Sequence, residues 1–259
     1  MRASFRPSCR RWSLGLAGVL LALTAAGPAA ASAQIDPPIS DPLGAVEAWA
    51  SGESLRRLLP DGTSAGRESR KPPKRQARTP KPTKAQLAKL RFTRDPDVTE
   101  ANNQAVIANL GPGHDPATVV ADIERNRTLA HDGLRSFEGR WSPNDLADIA
   151  SFVLLSGYAA YHDKPELSAQ GCLAVRRAAR NGLANRKRVR GTSNADKQTA
   201  AEMSEIRLIY SLAALNASRM AGDTDAAEEA RWEIRTWVRD VYGLDLERAR
   251  LTKSGFTVT

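Results

Sequence analysis

Residues 193–222 read SNADKQTAAEMSEIRLIYSLAALNASRMAG, and their spacing decides the fold class. Met203, Ile206, Ile209, Tyr210, Ala213, Ala217 and Met220 recur at helical steps and share one face. Leu208, Leu212 and Leu215 form a second apolar stripe. Two stripes on one helix demand neighbours on two sides, so this segment is the predicted central helix. Ser193 suits its N-cap, and Gly222 sits where a left-handed C-cap belongs.

The same grammar extends in both directions. Residues 143–162 carry Leu146, Ile149, Ala150, Val153, Leu154, Gly157, Tyr158 and Tyr161 at helical spacing, and Lys164-Pro165 ends the pattern. A further helix is predicted from Glu166 to about Ala184, and another from Thr224 to Tyr242 with Ala227, Ala230, Ile234, Trp237, Val238 and Val241 inward. Asp95-Pro96, Asp115-Pro116 and Ser142-Pro143 pair a capping side chain with proline, which starts a helix without losing a hydrogen bond. No stretch alternates convincingly with a two-residue period, and Phe256-Thr257-Val258-Thr259 is too short to count as a strand. Residues 85–259 are therefore expected to fold as one all-α domain, a single helical bundle of about six helices.

The N-terminal third is different. Arg2, Arg6, Arg10 and Arg11 precede an apolar run from Leu14 to Ala26, and Ala31-Ser32-Ala33 follows. This is the layout of a cleavable signal peptide over residues 1–33, with cleavage expected at Ala33-Gln34. The apolar run is shorter than the roughly 20 residues a membrane span needs. Export to the periplasm, cell envelope or exterior is expected, with no transmembrane helix after cleavage. Residues 34–84 are rich in proline, and Pro72, Pro73, Pro80 and Pro82 favour extended chain over helix. They read as a disordered, basic, Pro/Lys/Arg-rich linker.

Cleavage removes Cys9 and leaves Cys172 alone, which excludes an internal disulfide and any cysteine cluster for zinc. The net charge of +9 is unevenly spread. Residues 61–84 hold eight basic residues against Asp61 and Glu68, whereas residues 85–259 hold 24 basic and 23 acidic residues. The surplus sits in the linker, so the pI of about 9.9 does not describe a nucleic-acid-binding domain, and no specific nucleic-acid recognition is expected.

Candidate chemistry is sparse. Gly62-Thr63-Ser64-Ala65-Gly66 fits the nucleophile-elbow pattern but lies in the linker without the strand and helix that would present the serine. His114, His131 and His162 lack the two-histidine helical spacing of a zinc site. No metal site and no cofactor is expected. Asn126 and Arg127 interrupt the stripe Val120, Ile123, Ala130, Leu134, and Arg127 shares a face with His131. The arginine is expected to lay its stem on apolar surface and reach water with its head. Arg176, Arg177, Arg180, Arg186, Lys187, Arg188 and Arg190 form a basic run without aromatic residues. That run reads first as a solvated helix end; as a polyanion-binding surface, its candidates are Arg186, Lys187, Arg188 and Arg190, with Lys71, Lys74 and Arg75 in the linker. Trp141, Trp232 and Trp237 are expected to pack in the core.

Leu90-Arg91-Phe92-Thr93, Trp141-Ser142-Pro143-Asn144-Asp145-Leu146-Ala147-Asp148, Lys197-Gln198-Thr199-Ala200-Ala201-Glu202, Gly243-Leu244-Asp245-Leu246 and Leu251-Thr252 together resemble a family of exported bacterial all-helical proteins known only as a domain of unknown function. The resemblance covers roughly 90–255. It implies a helical fold and export, and no reaction, cofactor or catalytic residue.

The expected function is that of a non-enzymatic, envelope-associated domain that binds an envelope polymer or a protein partner. The alternative is a hydrolase of envelope polymers using His131 or His162 with a neighbouring carboxylate such as Asp132, Asp145 or Asp163. An imidazole and a carboxylate in hydrogen-bond reach, lining a concave pocket, would favour the alternative.

Overall fold

The computed structural model describes residues 81–110, 115–135, 137, 141–164 and 167–258, with the side chains of Asn109, Leu110 and Arg188 outside that description. The predicted signal-peptide segment, nearly all of the predicted linker with its Gly62–Gly66 pentapeptide, and His114 lie outside the described residues. Among the described residues the chain forms eight helices: α1 Lys84–Ala88, α2 Pro96–Leu110, α3 Pro116–Arg135, α4 Leu146–Tyr161, α5 Ala169–Ala184, α6 Lys187–Gly191, α7 Asn194–Ala221 and α8 Thr224–Tyr242. Two of these, α1 and α6, are single turns, which leaves six long helices as expected. No helix among the described residues is long and apolar enough to cross a membrane.

Helix α7 is the hub. It packs against α2 and α3 on one side and against α4 and α8 on the other. Met203 and Ile206 join Val106, Val119 and Ile123 in a small cluster beneath α2 and α3. Leu208, Ile209, Leu212 and Leu215 face the main core with Ile149, Leu155, Ile234 and Leu246. The two stripes thus meet two separate sets of partners, except that Ile209, read with the first stripe, joins the second set in the main core; each fully buried Leu or Ile contributes roughly 1.5–3 kcal/mol. The predicted stripe runs out at its C-terminal end, where Ala217 and Met220 are exposed. Gly222 and Gly243 adopt left-handed conformations (φ +70° and +72°) and close α7 and α8.

Three local expectations are corrected. Helix α4 opens at Leu146, three residues beyond Pro143, because Asp145 is its N-cap and accepts from the N–H groups of Ala147 and Asp148. Trp232 faces outward on α8, 61% exposed, while Trp141 and Trp237 are buried. The C-terminus forms an antiparallel hairpin, β1 Ala249–Thr252 with β2 Gly255–Val258, pairing Leu251 with Phe256. This hairpin draws its stability from packing against α5 and from Tyr158, whose hydroxyl accepts from the Leu251 N–H at 3.3 Å. Gly171 on α5 permits the approach, since a Cβ there would lie 2.9 Å from the Thr252 carbonyl oxygen. Such tertiary support leaves little local signal in four-residue strands.

The segment before α2 is tied to the start of α4. Leu146 N–H donates to the Leu90 carbonyl and Phe92 N–H to the Asn144 carbonyl, both at 3.1 Å. Arg91 and Asp145 form an isolated antiparallel bridge between them. This short pairing brings two of the sequence segments singled out above, 90–93 and 141–148, into contact.

Candidate functional site

That contact forms one wall of an open cleft of about 460 Å³, lined by Arg91, Phe92, Ser142, Asn144, Asp145, Arg176 and Arg180. Helix α5 supplies the opposite wall. Arg176 and Arg180 stand one turn apart on it, and Asp145 and Asp148 stand at the start of α4. Arg176 grips buried Asp148 with both prongs, Nε to Oδ1 at 2.6 Å and Nη2 to Oδ2 at 2.8 Å. Its guanidinium also lies 5.2 Å from the centre of the Trp141 ring. Arg180 shares one nitrogen, Nη2, between Asp145 Oδ2 at 2.9 Å and Asp148 Oδ2 at 3.3 Å. Its Nε is buried without a hydrogen-bond partner among the described residues. Asp148 additionally accepts from the Ser142 N–H at 2.9 Å. Burial, then the neighbouring Asp148, push Asp145 above the ordinary aspartate range against the pull of Arg180.

Behind the cleft lies a second cluster, centred on two carboxylates of α7. Arg94 connects the two. Its Nε donates to Asn144 Oδ1 at 3.1 Å and its Nη2 to the Pro143 carbonyl at 3.1 Å, on the cleft side. Inward, Nη1 donates to Glu202 at 2.7 Å and Nη2 to Glu205 at 3.2 Å. Glu202 is completely buried and also accepts from Thr99 Oγ1 at 2.8 Å, Asn102 Nδ2 at 2.7 Å and Gln198 Nε2 at 3.0 Å, with Arg127 Nη2 at 3.8 Å. Burial alone would raise the Glu202 pKa. The Asn102 and Thr99 hydrogen bonds, with Arg127 and Arg94, outweigh it and hold the group below the ordinary glutamate range. Gln198 also clamps the start of α2, accepting from the Asp95 N–H at 2.7 Å and donating to the Asp95 carbonyl at 2.8 Å.

His131 ends this cluster. Its Nε2 lies 3.0 Å from Arg94 Nη2 and 3.1 Å from Glu205 Oε1. The guanidinium only donates and an ionised carboxylate only accepts, so a single ring nitrogen hydrogen-bonds one of them at a time. Arg127 is buried, with Nη2 donating to Asn103 Oδ1 at 3.0 Å. The expected reach of its head to water is thereby corrected: Nη2 meets Asn103 and, at 3.8 Å, Glu202 inside the bundle, while Nε is buried without a hydrogen-bond partner among the described residues.

The remaining sequence candidates fall elsewhere. Lys71, Lys74 and Arg75 lie outside the described residues. Lys187 is exposed, Arg186 and Arg190 are half-buried, and they sit at or beside the one-turn helix α6. Arg176 and Arg180, read as part of the same solvated basic run, instead turn inward to the α4 carboxylates. His162 donates through Nε2–H to the Leu246 carbonyl, 2.8 Å away, and packs against Tyr158 and Tyr161. Burial, with Lys164 and Arg250 nearby, lowers its pKa despite that carbonyl. Asp132 pairs with Arg135, and Asp163 with Arg219 and Arg231. Among the described residues no group of three or more His, Cys, Asp or Glu side chains is placed to hold a metal ion. Cys172 is buried and in no disulfide among the described residues.

Arg94, Asn102, Glu202 and Glu205 were not among the sequence candidates. One signal did point to them: Gln198, Glu202 and Glu205 recur at helical steps of four and three on α7, a polar stripe between two apolar ones. A helix with apolar neighbours on two sides has little solvent-facing surface left for such a stripe. Comparison with family models, curated proteins and solved structures finds no match to this chain. No family model supports the resemblance noted above; two of its quoted segments build the cleft wall.

Proposed function

We propose that the chain is an exported helical binding domain that holds envelope material or a protein partner without catalysing a reaction. The observation that carries this reading is the cleft: a preformed concave surface lined mainly by polar and charged side chains held in place by one another. Its walls are braced from behind by the Arg94 cluster, so it needs no rearrangement to receive a ligand. The basic segment 61–84 supports a second, weaker attachment. Exposed charges of that kind are screened over ~8 Å at physiological salt, so tethering through it is salt-sensitive.

Cosedimentation of the processed protein with envelope fractions tests both parts. The full mature chain is expected in the pellet at low salt, and the form lacking residues 61–84 is expected to be largely released. Equal retention of the truncated form removes the tether from the account. Absence of the full chain from every envelope fraction removes the binding reading.

A second reading, an envelope-polymer hydrolase, draws support from the His131–Glu205 contact. It draws less than the first, because the contacting nitrogen is also engaged by Arg94 and His131 does not line the cleft. Turnover of envelope polymers that is abolished by His131→Gln, in a protein that still melts like the parent, would reverse the order.

A further inference from the structure

Resting on the binding reading above, we infer that the cleft is an oxyanion site, with Arg91, Arg180 and the Asn144 amide as its ligand-facing donors and a carboxylate or phosphate group as its ligand. The argument begins with charge. Three guanidiniums line the cleft, and two carboxylates, Asp145 and Asp148, answer them. Arg176 is held on Asp148 by both prongs. Arg180 spends one of its nitrogens on the two aspartates. Arg91 makes no ion pair or side-chain hydrogen bond among the described residues, so one positive charge at the mouth is unanswered.

Hydrogen-bond direction makes the same point. Asn144 Oδ1 accepts from Arg94 Nε, which fixes the orientation of the amide and turns both N–H groups of Nδ2 away from that contact. Nδ2 finds no acceptor among the described residues. The Asp145 oxygens are already committed, Oδ1 to the first turn of α4 and Oδ2 to Arg180. The cleft therefore offers unspent donors and few unspent acceptors, the complement of an oxyanion rather than of a cation or a neutral sugar. Arginine suits this role because its planar fork matches carboxylate and phosphate oxygens two at a time. The aromatic ring of Phe92 adds an apolar wall for whatever carries the anionic group. Arg176 is a positioning residue here, since it orients Asp148 and through it Arg180.

Titration calorimetry of the full mature protein tests the site with three probes: glucuronate for the carboxylate, inorganic phosphate for the phosphate, and glucose as the neutral control. Heat with glucuronate alone assigns the carboxylate, and heat with phosphate alone assigns the phosphate. Arg91→Ala is expected to weaken the binding about 10-fold, and Arg91→Lys, which keeps the charge and loses the fork, by less. Arg91 is exposed, so both variants are expected to melt like the parent. Arg91→Glu, which reverses the unanswered charge, serves as the second variant and is expected to abolish binding. The inference is overturned if glucose binds as well as the two anions, if neither anion binds, or if Arg91→Glu binds them like the parent. The last result in a protein that still pellets with envelope fractions leaves the general binding reading standing. Oxyanion binding in a protein that pellets with none does the reverse.

Discussion

Two arginine–carboxylate clusters meet at Asn144, and they are built on opposite principles. In the inner one, Glu202 and Glu205 of α7 face Arg94 and Arg127, two carboxylates against two guanidiniums, and Glu202 alone accepts four hydrogen bonds. In the outer one, Asp145 and Asp148 face Arg176, Arg180 and Arg91, and one cation is left over. A buried charge without a partner is costly, which is why the inner cluster is closed to ligands. An open cleft tolerates an unpaired cation because water solvates it until a ligand arrives. The difference teaches which cluster holds the fold and which is available to a partner.

The largest expected effect breaks the inner cluster. Glu202→Ala strips Arg94, Asn102 and Arg127 of their shared acceptor and is expected to cost about 3–5 kcal/mol of unfolding free energy. Glu202→Gln keeps the shape and some of the hydrogen bonds and is expected to cost less. Urea denaturation followed by circular dichroism measures both, and a loss below 1 kcal/mol for Glu202→Ala would contradict the inner cluster's structural role. Arg176→Met comes next. It leaves Asp148 buried, but Arg180 and the Ser142 N–H remain beside it, so the expected cost is about 2–3 kcal/mol.

The two clusters also predict opposite responses to pH. Glu202 has a lowered pKa in the folded state, so the folded protein binds its proton less readily than the unfolded chain. Its contribution to stability is complete above pH 4.5, the ordinary value, and is lost as pH falls through the depressed folded value. Asp145 has a raised pKa, so the folded state binds its proton more readily. Its contribution falls as pH rises from 3.8 through the elevated value. Stability measured across the acid range is expected to fall less steeply with acid in Glu202→Gln than in the parent. Asp145→Asn, which retains an N-cap for α4, is expected to lose the opposing term. The same sign of change in both variants would mean that the clusters do not differ in the way described.

What the sequence disclosed follows from how local each cause is. Helical period, N-caps and left-handed glycine caps are properties of neighbouring residues, so the start of α3 and both ends of α7 and α8 were legible within a residue or so, and two stripes on α7 correctly implied two sets of partners. The pairing of Arg176 with Asp148 joins positions 28 apart, and that of Arg94 with Glu202 joins positions 108 apart. Neither leaves a trace in local spacing, so Arg176 and Arg180 looked like part of a solvated run. The β1–β2 hairpin was missed because α5 and Tyr158 hold it, not its own propensity. Trp141-Ser142-Pro143-Asn144-Asp145 was visible as a helix opening. Its second role, presenting Asn144 and Asp145 to arginines from two other segments, exists only in three dimensions.

The smallest effect on stability is also the sharpest test of the contrast. Arg91 is exposed and has no ion pair or side-chain hydrogen bond among the described residues, so Arg91→Ala is expected to change unfolding free energy by no more than about 0.5 kcal/mol. The bridge between Arg91 and Asp145 is made by backbone atoms and survives the substitution. If the outer cluster were merely a looser copy of the inner one, Arg91 would be a packing residue, and its removal would register in the melt and leave oxyanion binding untouched. If the surplus charge is what a ligand meets, the melt stays still and the binding weakens. Measuring both quantities on the same preparation separates the two: a stability loss above 1 kcal/mol with unchanged binding would place Arg91 with the structural arginines rather than with the ligand.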